Sequence, residues 1–297
     1  MDGIINILKP PCMTSYDVVA YLRRLLGIRR IGHAGTLDPM AAGVLPVCAG
    51  KATGAVEFLM EKDKLYRAEL TLGITTDTQD ASGVIISVVA PVCGDSEIES
   101  AVRSFTGKYM QTPPMHSALR IDGKRLYELA RKGMEVERPP REVEIYSAEV
   151  VDIDRSDGIR VLMDVHCSKG TYIRTLCADI GDRLGCGGHM SFLLRKRAGL
   201  FDIGDSFTLE ELARMVEEGS AGEAFIPVDS VFRDFDSYML DESLEKRFKN
   251  GMKVAVHGVP SKTGPLVRVY GARGEFIALG AVSEASNGIF LKARKFF

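Results

Sequence analysis

Apolar positions along this chain follow two rhythms, and the switches between them mark its elements. Gly3-Ile4-Ile5-Asn6-Ile7-Leu8 is an apolar run that Lys9-Pro10-Pro11 stops, which predicts a strand. Thr14 with Asp17 forms a capping box with Asp in place of Glu, and Val18, Val19, Leu22, Leu25 and Leu26 then recur at helical spacing until Gly27. Lys64 to Leu72 alternates instead. Tyr66, Ala68, Leu70 and Leu72 share one face of a predicted strand, with Leu65, Arg67, Glu69 and Thr71 on the other. Ser96 with Glu99 predicts a second capping box and a helix that turns Ile98, Ala101, Val102 and Phe105 inward and ends near Gly107. Val143–Ile153 and Ile159–His166, joined by Asp154-Arg155-Ser156-Asp157-Gly158, predict an antiparallel hairpin. Leu176, Ile180 and Leu184 mark a further helix closed by Gly185, and Thr208 with Glu211 opens another that Gly219 ends.

The strands lack alternating crossover helices. The expected class is therefore α+β, with a mixed, largely antiparallel sheet and flanking helices. Gly219-Ser220-Ala221-Gly222 reads as a flexible link. Beyond it, Asp241 starts a short helix ended by Gly251. The short β runs 253–256, 266–270, 275–279 and 289–292, punctuated by Gly, predict a small β-barrel or sandwich. The expected division is residues 1–228 and 229–297.

Composition narrows the function classes. Apolar residues are 45% and charged residues 26% of 297, ordinary for a globular protein, and the formal net charge of −2 excludes a uniformly basic nucleic-acid binder. Any such role needs a local basic patch. Arg120, Lys124, Arg125, Arg131, Lys132, Arg138 and Arg141 make the most basic segment, with few carboxylates to balance it. Such a segment is either a solvated surface or a phosphate-contacting one. No apolar run approaches the roughly 20 residues that span a bilayer. The first residues, Met1-Asp2-Gly3-Ile4-Ile5, lack the basic start and cleavage site of a secretory leader, so a cytoplasmic protein is expected. The six cysteines form no CxxC pair. Cys167, Cys177, Cys186 and His189 fit no standard zinc spacing, and no metal is expected.

One stretch concentrates unusual residues: Gly32-His33-Ala34-Gly35-Thr36-Leu37-Asp38-Pro39-Met40-Ala41-Ala42-Gly43-Val44-Leu45-Pro46. Pro39 pushes Asp38 away from the α region, and Gly32, Gly35 and Gly43 permit angles and close approaches that a side chain forbids. A shaped loop is predicted, with its carboxylate held against a core by the apolar run that follows.

This stretch closely resembles the signature of the TruB family of tRNA pseudouridine synthases, and the resemblance extends from Lys9 to about Phe201. Lys9-Pro10-Pro11-Cys12-Met13-Thr14-Ser15 is similar to the family's K-P-x-G-x-T-S, with Cys12 in place of Gly. Lys64 to Gly73 matches K-x-Y-x-A/V-x-x-x-L-G, and Thr76-Asp77-Thr78-Gln79-Asp80-Ala81-Ser82-Gly83 resembles T-D-T-x-D-x-x-G. The run from Gln111 contains P-P-x-x-S-A and L-Y-E-L-A-R-x-G. Ser168-Lys169-Gly170-Thr171-Tyr172-Ile173-Arg174 resembles S-x-G-T-Y-I-R. Near Arg195-Lys196-Arg197 this chain has Leu194 and Lys196 where the family has Arg and Thr.

The resemblance implies a pseudouridine synthase fold, an RNA-gripping insertion near residues 108–142, and a C-terminal domain of PUA type. It implies isomerisation of a uridine in the T-loop of tRNA, conventionally position 55, with no cofactor and no membrane. The expected partner is the T-stem-loop of tRNA, and the expected state is a monomer without an obligatory protein partner. By the same resemblance Asp38 is the catalytic residue, Arg174 keeps it charged and Asp80 holds the guanidinium. Tyr66, Tyr172 and Leu193 contact the base, His33 contacts the substrate, and Lys9 supports the site. From pattern alone Tyr66 reads as a core aromatic, and His33 reads equally as a loop histidine bonded to backbone. Two other readings fit these motifs: a tRNA-binding folding helper, and a synthase acting on another RNA.

The chemistry follows from the residues. The reaction breaks a uridine's N1–C1′ bond, turns the base and rejoins it through C5, which requires one ionised carboxylate and no redox partner. A carboxylate in an apolar loop tends to protonate, and a neighbouring Arg lowers such a pKa by about 1–3 units.

Overall fold

The structure is a computed structural model. It describes every residue except 118, 122, 131, 259–264 and 287, and leaves the side chains of 120, 121, 124, 125 and 127 undescribed. In the first 228 residues the strands are β1 (Gly3–Lys9), β2 (Ile31–His33), β3 (Ala42–Ala49), β4 (Lys64–Leu72), β5 (Ile74–Thr76), β6 (Ile85–Val88), β7 (Gly107–Gln111), β8 (Arg120–Ile121), β9 (Lys124–Arg125), β10 (Arg141–Asp154), β11 (Ile159–Cys167), β12 (Gly188–Ala198) and β13 (Phe201–Asp202). The helices there are α1 (Ser15–Leu26), α2 (Val56–Met60), α3 (Asp95–Arg103), α4 (Leu126–Ala130), α5 (Ile173–Arg183) and α6 (Leu209–Glu217).

The main sheet runs β1-β3-β12-β4-β11-β10-β7, with β2 on β3 and β13 on β12. Every described pair in it is antiparallel except β3 with β12. The expected mixed, largely antiparallel sheet is therefore present. Burial explains the two sequence rhythms. On β4 the residues alternate between buried and half-buried, because helices cover one face only. On β1 nearly every residue is buried, because Ile5 and Ile7 face α1 and α6 while Ile4 packs on the opposite side. Helices α3 and α5 cover β4, β10 and β11 through Ile98, Val102, Leu176 and Ile180. The uncovered face carries charge pairs instead, such as Arg67 with Asp164 at 2.8 Å.

Helix α1 opens and closes as predicted, with the Thr14–Asp17 capping box and Gly27 at φ 66°. Helix α3 differs. Its cap is Gly94, whose N–H donates to Glu97 Oε2 at 2.7 Å, and the helix stops at Arg103, leaving Gly107 to open β7. Ser96 and Glu99 lie inside it. Gly94 supplies no capping side chain, so side-chain spacing pointed to the wrong pair. Gly32 lies within β2 and needs no positive φ. Cys12 adopts φ 64° although it is not glycine. That left-handed backbone costs an L-residue about 1–2 kcal/mol. Cys12→Gly is expected to raise stability by about 0.5–1 kcal/mol after the extra freedom of glycine in the unfolded chain is subtracted, read as a higher midpoint in urea.

The C-terminal part adds β14 (Ser237–Met239), α7 (Glu242–Lys249), β15 (Val254–Val256), β16 (Leu266–Tyr270), β17 (Phe276–Ala285) and β18 (Gly288–Phe296). They form one five-stranded sheet, β14-β16-β17-β18-β15, the small C-terminal β-domain that the Gly-punctuated runs predict. Strand β14 escaped the pattern because its three residues are too few to show alternation. The last two strands extend into polar, exposed residues that carry no alternating signal. Leu279, Phe276 and Phe297 pack with Phe232, Ile4 and Val44, so this sheet shares a core with the main body.

Candidate active site

Asp38 lies in the loop between β2 and β3, outside any helix, as Pro39 requires. The loop is pinned on several sides. Ser15 Oγ, at the start of α1, accepts from Leu37 N at 2.9 Å and donates to Leu37 O at 3.3 Å. Lys9 Nζ, fully buried at the end of β1, donates to the carbonyls of Pro10, Met13 and Pro39 at 2.8, 2.6 and 3.2 Å. Leu37 and Ala41 are buried, so the carboxylate is held against a core as expected, while Met40 is exposed.

Arg174 reaches Asp38 from the first turn of α5. Its Nε lies 2.9 Å from Asp38 Oδ2, and its Nη1 lies 3.4 Å from Asp80 Oδ2. Two backbone carbonyls complete its surroundings, Thr78 O at 3.2 Å and His116 O at 2.9 Å. The Arg174 side chain is only 5% exposed. Asp80 is fixed in turn by Thr78 Oγ1, Ser82 N and Ser82 Oγ, at 2.7, 2.9 and 2.5 Å. Gln79 beside it holds φ 62°, a strained angle retained where the turn is over-determined.

These residues border one cavity of about 730 Å³, lined also by Tyr66, Tyr172, Leu193, Lys64 and Arg195. Six sequence-predicted residues thus meet there: Asp38, Arg174, Asp80, Tyr66, Tyr172 and Leu193. Lys9 and His33 are not part of the lining. Lys9 braces the Asp38 loop from behind, and burial pulls its pKa down to about 8. His33 ends β2, and burial together with the nearby Arg195 cation lowers its pKa.

Burial pushes the Asp38 carboxyl above the ordinary aspartate range, and Arg174 pulls it back only in part, with Asp80 adding to the rise. Desolvation around the loop opposes the ion pair, whose guanidinium is shared with Asp80. Burial likewise raises the hydroxyl pKa values of Tyr66 and Tyr172, which favours neutral rings.

Sequence reasoning missed three supports. Gln111, buried at the end of β7, clamps the Tyr172 backbone, with Oε1 accepting from Tyr172 N at 2.8 Å and Nε2 donating to Tyr172 O at 3.0 Å. Ser15 was read only as part of a helix start. Arg195 was read as one of a basic run, yet it is 1% exposed. No local pattern marks such residues, because their partners lie far away in the chain. Among the described residues no group of three or more His, Cys, Asp or Glu is placed to hold a metal.

An acid–guanidinium–acid row thus stands beside two tyrosines on a mixed sheet. Comparisons with known proteins place this architecture. The architecture is similar to a Cbf5–Nop10–Gar1 complex, at TM-score 0.75 and 30% identity over 99% of this chain and 84% of that one. It is also similar to an H/ACA RNP bound to a substrate RNA containing 2′-deoxyuridine, at TM-score 0.74 and 29% identity over 99% and 84%. Residues 23–173 match the description "TruB family pseudouridylate synthase (N terminal domain)", and residues 174–239 match "tRNA pseudouridylate synthase B C-terminal domain". The tRNA pseudouridine synthase B of Alkaliphilus oremlandii is 45% identical over 98% of this chain and 97% of its own length. That of Geobacillus thermodenitrificans is 43% identical over 100% of both. The chain belongs to the TruB family of tRNA pseudouridine synthases.

Proposed function

We propose that this protein isomerises uridine to pseudouridine in the T-loop of tRNA, with Asp38 as the nucleophile. The observation that carries the reading is the Asp38–Arg174 pair, 2.9 Å apart, on the wall of a cavity shared with Tyr66. The target base leaves the RNA fold at a cost of roughly a few kcal/mol, and stacking on Tyr66 returns about 1–3 kcal/mol. Asp38 works as the anion in the exchange of the N1–C1′ bond for a C5–C1′ bond. Any bond it forms to the nucleoside is broken again on product formation, and the proton lost from C5 is matched by one gained at N1. Arg174 balances the Asp38 charge, and Asp80 keeps the guanidinium in register. Tyr172 and Leu193 complete the wall beside the base. His33 and Lys9 act behind it by positioning.

The segment from Arg120 to Arg141 is read as gripping the RNA backbone, residues 1–228 as the catalytic domain and residues 229–297 as an RNA-contacting domain of PUA type. Arg131 lies outside the described residues. Arg138 is partly occupied, donating to Pro113 O at 3.2 Å and to Glu135 Oε1 at 3.3 Å. The side chains of Arg120, Lys124 and Arg125 also lie outside what is described; among the described ones, Lys132 and Arg141 are exposed. The protein works as a monomer, in the cytoplasm, without a protein partner.

The test is to incubate the purified chain with an unmodified tRNA transcript and map pseudouridine by mass spectrometry. The expected product is one pseudouridine in the T-loop, without added cofactor. No modification of bare tRNA would overturn the reading. Binding is expected to weaken linearly in log salt, by about 0.7–0.9 units of slope per phosphate contact. A charge-neutral Lys132/Arg141 double variant should flatten that slope.

A further inference from the structure

Arg195 is a buried cation with no carboxylate within ion-pair distance among the described residues, at 1% exposure. An uncompensated charge in such a place is costly, and it is retained only where its hydrogen bonds are needed. Its Nε donates to Val44 O at 2.7 Å, its Nη1 to Thr36 O at 3.4 Å and its Nη2 to Gly35 O at 3.3 Å. All three carbonyls flank Asp38, two before it and one after. Local backbone geometry aims the side chain there. A register shift in β12 between Arg195 and Arg197 breaks the alternation against β4, as bulges do where they redirect a side chain. The Arg195 backbone pairs in parallel with Gly43. Gly43 holds φ 117°, and a Cβ there would lie 2.3 Å from Arg195 O, so only glycine lets the two strands approach.

We infer that Arg195 is a positioning residue for catalysis: its guanidinium ties both ends of the Asp38 loop to β12 and so sets where the carboxylate stands relative to Arg174. The inference rests on Asp38 being the nucleophile. Arg195 also borders the cavity and hydrogen-bonds the Tyr66 side chain, but its inferred role is the loop tie and not a contact with the reacting atoms. Lysine cannot replace it, because three carbonyls in different directions need the planar fork.

The experiment uses Arg195→Lys, Arg195→Gln and Arg195→Met in the full chain on a tRNA transcript, with Asp38→Asn as control. Expected is a kcat lower by roughly 100-fold in all three, comparable to displacing a catalytic group by about an ångström, with KM within about threefold. Hydrogen exchange should accelerate in residues 31–44 while α5 and β11 keep their protection. The acid limb of kcat should also move up, because a loosened loop weakens the Asp38–Arg174 pair. If Arg195→Met does not fold, the Lys and Gln variants decide. Near-parental kcat in Arg195→Lys, or lost protection throughout the sheet, overturns the inference. An active Asp38→Asn control would instead overturn the nucleophile assignment on which it rests.

Discussion

If Asp38 is the nucleophile, as proposed, Asp38→Asn is expected to lose turnover by roughly 10,000-fold or more while still folding and binding tRNA, since the substitution keeps shape and removes only the carboxylate's charge. Single-turnover mapping of pseudouridine measures the first effect and filter binding the second. The parent enzyme's pH profile carries an independent signature. Burial raises the Asp38 carboxyl above the ordinary aspartate value, so the anion is lost while pH is still above about 3.9, where a solvated aspartate titrates. The rate constant kcat/KM should therefore fall, as pH drops, from a higher pH than a surface carboxylate would dictate. An acid limb at or below that ordinary value would contradict the desolvated site.

Arg174→Met is expected to lower kcat/KM by roughly 100- to 1,000-fold, the range seen when one preorganised electrostatic partner is removed. Arg174 is the main influence holding the Asp38 carboxyl down, so its loss moves the acid limb further up. Stability should fall as well, by about 3 kcal/mol, at the low end for a broken buried pair because the Asp38 side chain remains 37% exposed. Arg174→Lys should rescue little of either. An ammonium cannot face Asp38, Asp80 and two carbonyls together. Stopped-flow kinetics across pH and urea unfolding separate the two effects. A variant with parental kcat/KM and an unmoved acid limb would remove Arg174 from the chemistry.

Much of this was legible in the chain itself, for identifiable reasons. Alternation along β4 and the helical spacing in α1 and α5 report one-sided burial, and one-sided burial is what a period of hydrophobicity encodes. Asp38 was legible because Pro39 and the glycines restrict backbone conformation locally, and Tyr66 and Tyr172 because their motifs are contiguous. The α3 cap was misread because Gly94 has no side chain to signal it.

By itself the sequence determined the family, the strand and helix rhythm, and the identity of the acid and of the arginine expected beside it. Only the tertiary structure decided that burial raises that acid's pKa and that Lys9 and His33 are not among the residues lining the cavity. It alone disclosed Gln111, Ser15 and Arg195 as braces of the site. The reason is range: periodicity and turn chemistry act over a few residues, whereas burial and the Arg195 contacts join groups about 150 positions apart, 151 for Val44 and 160 for Gly35.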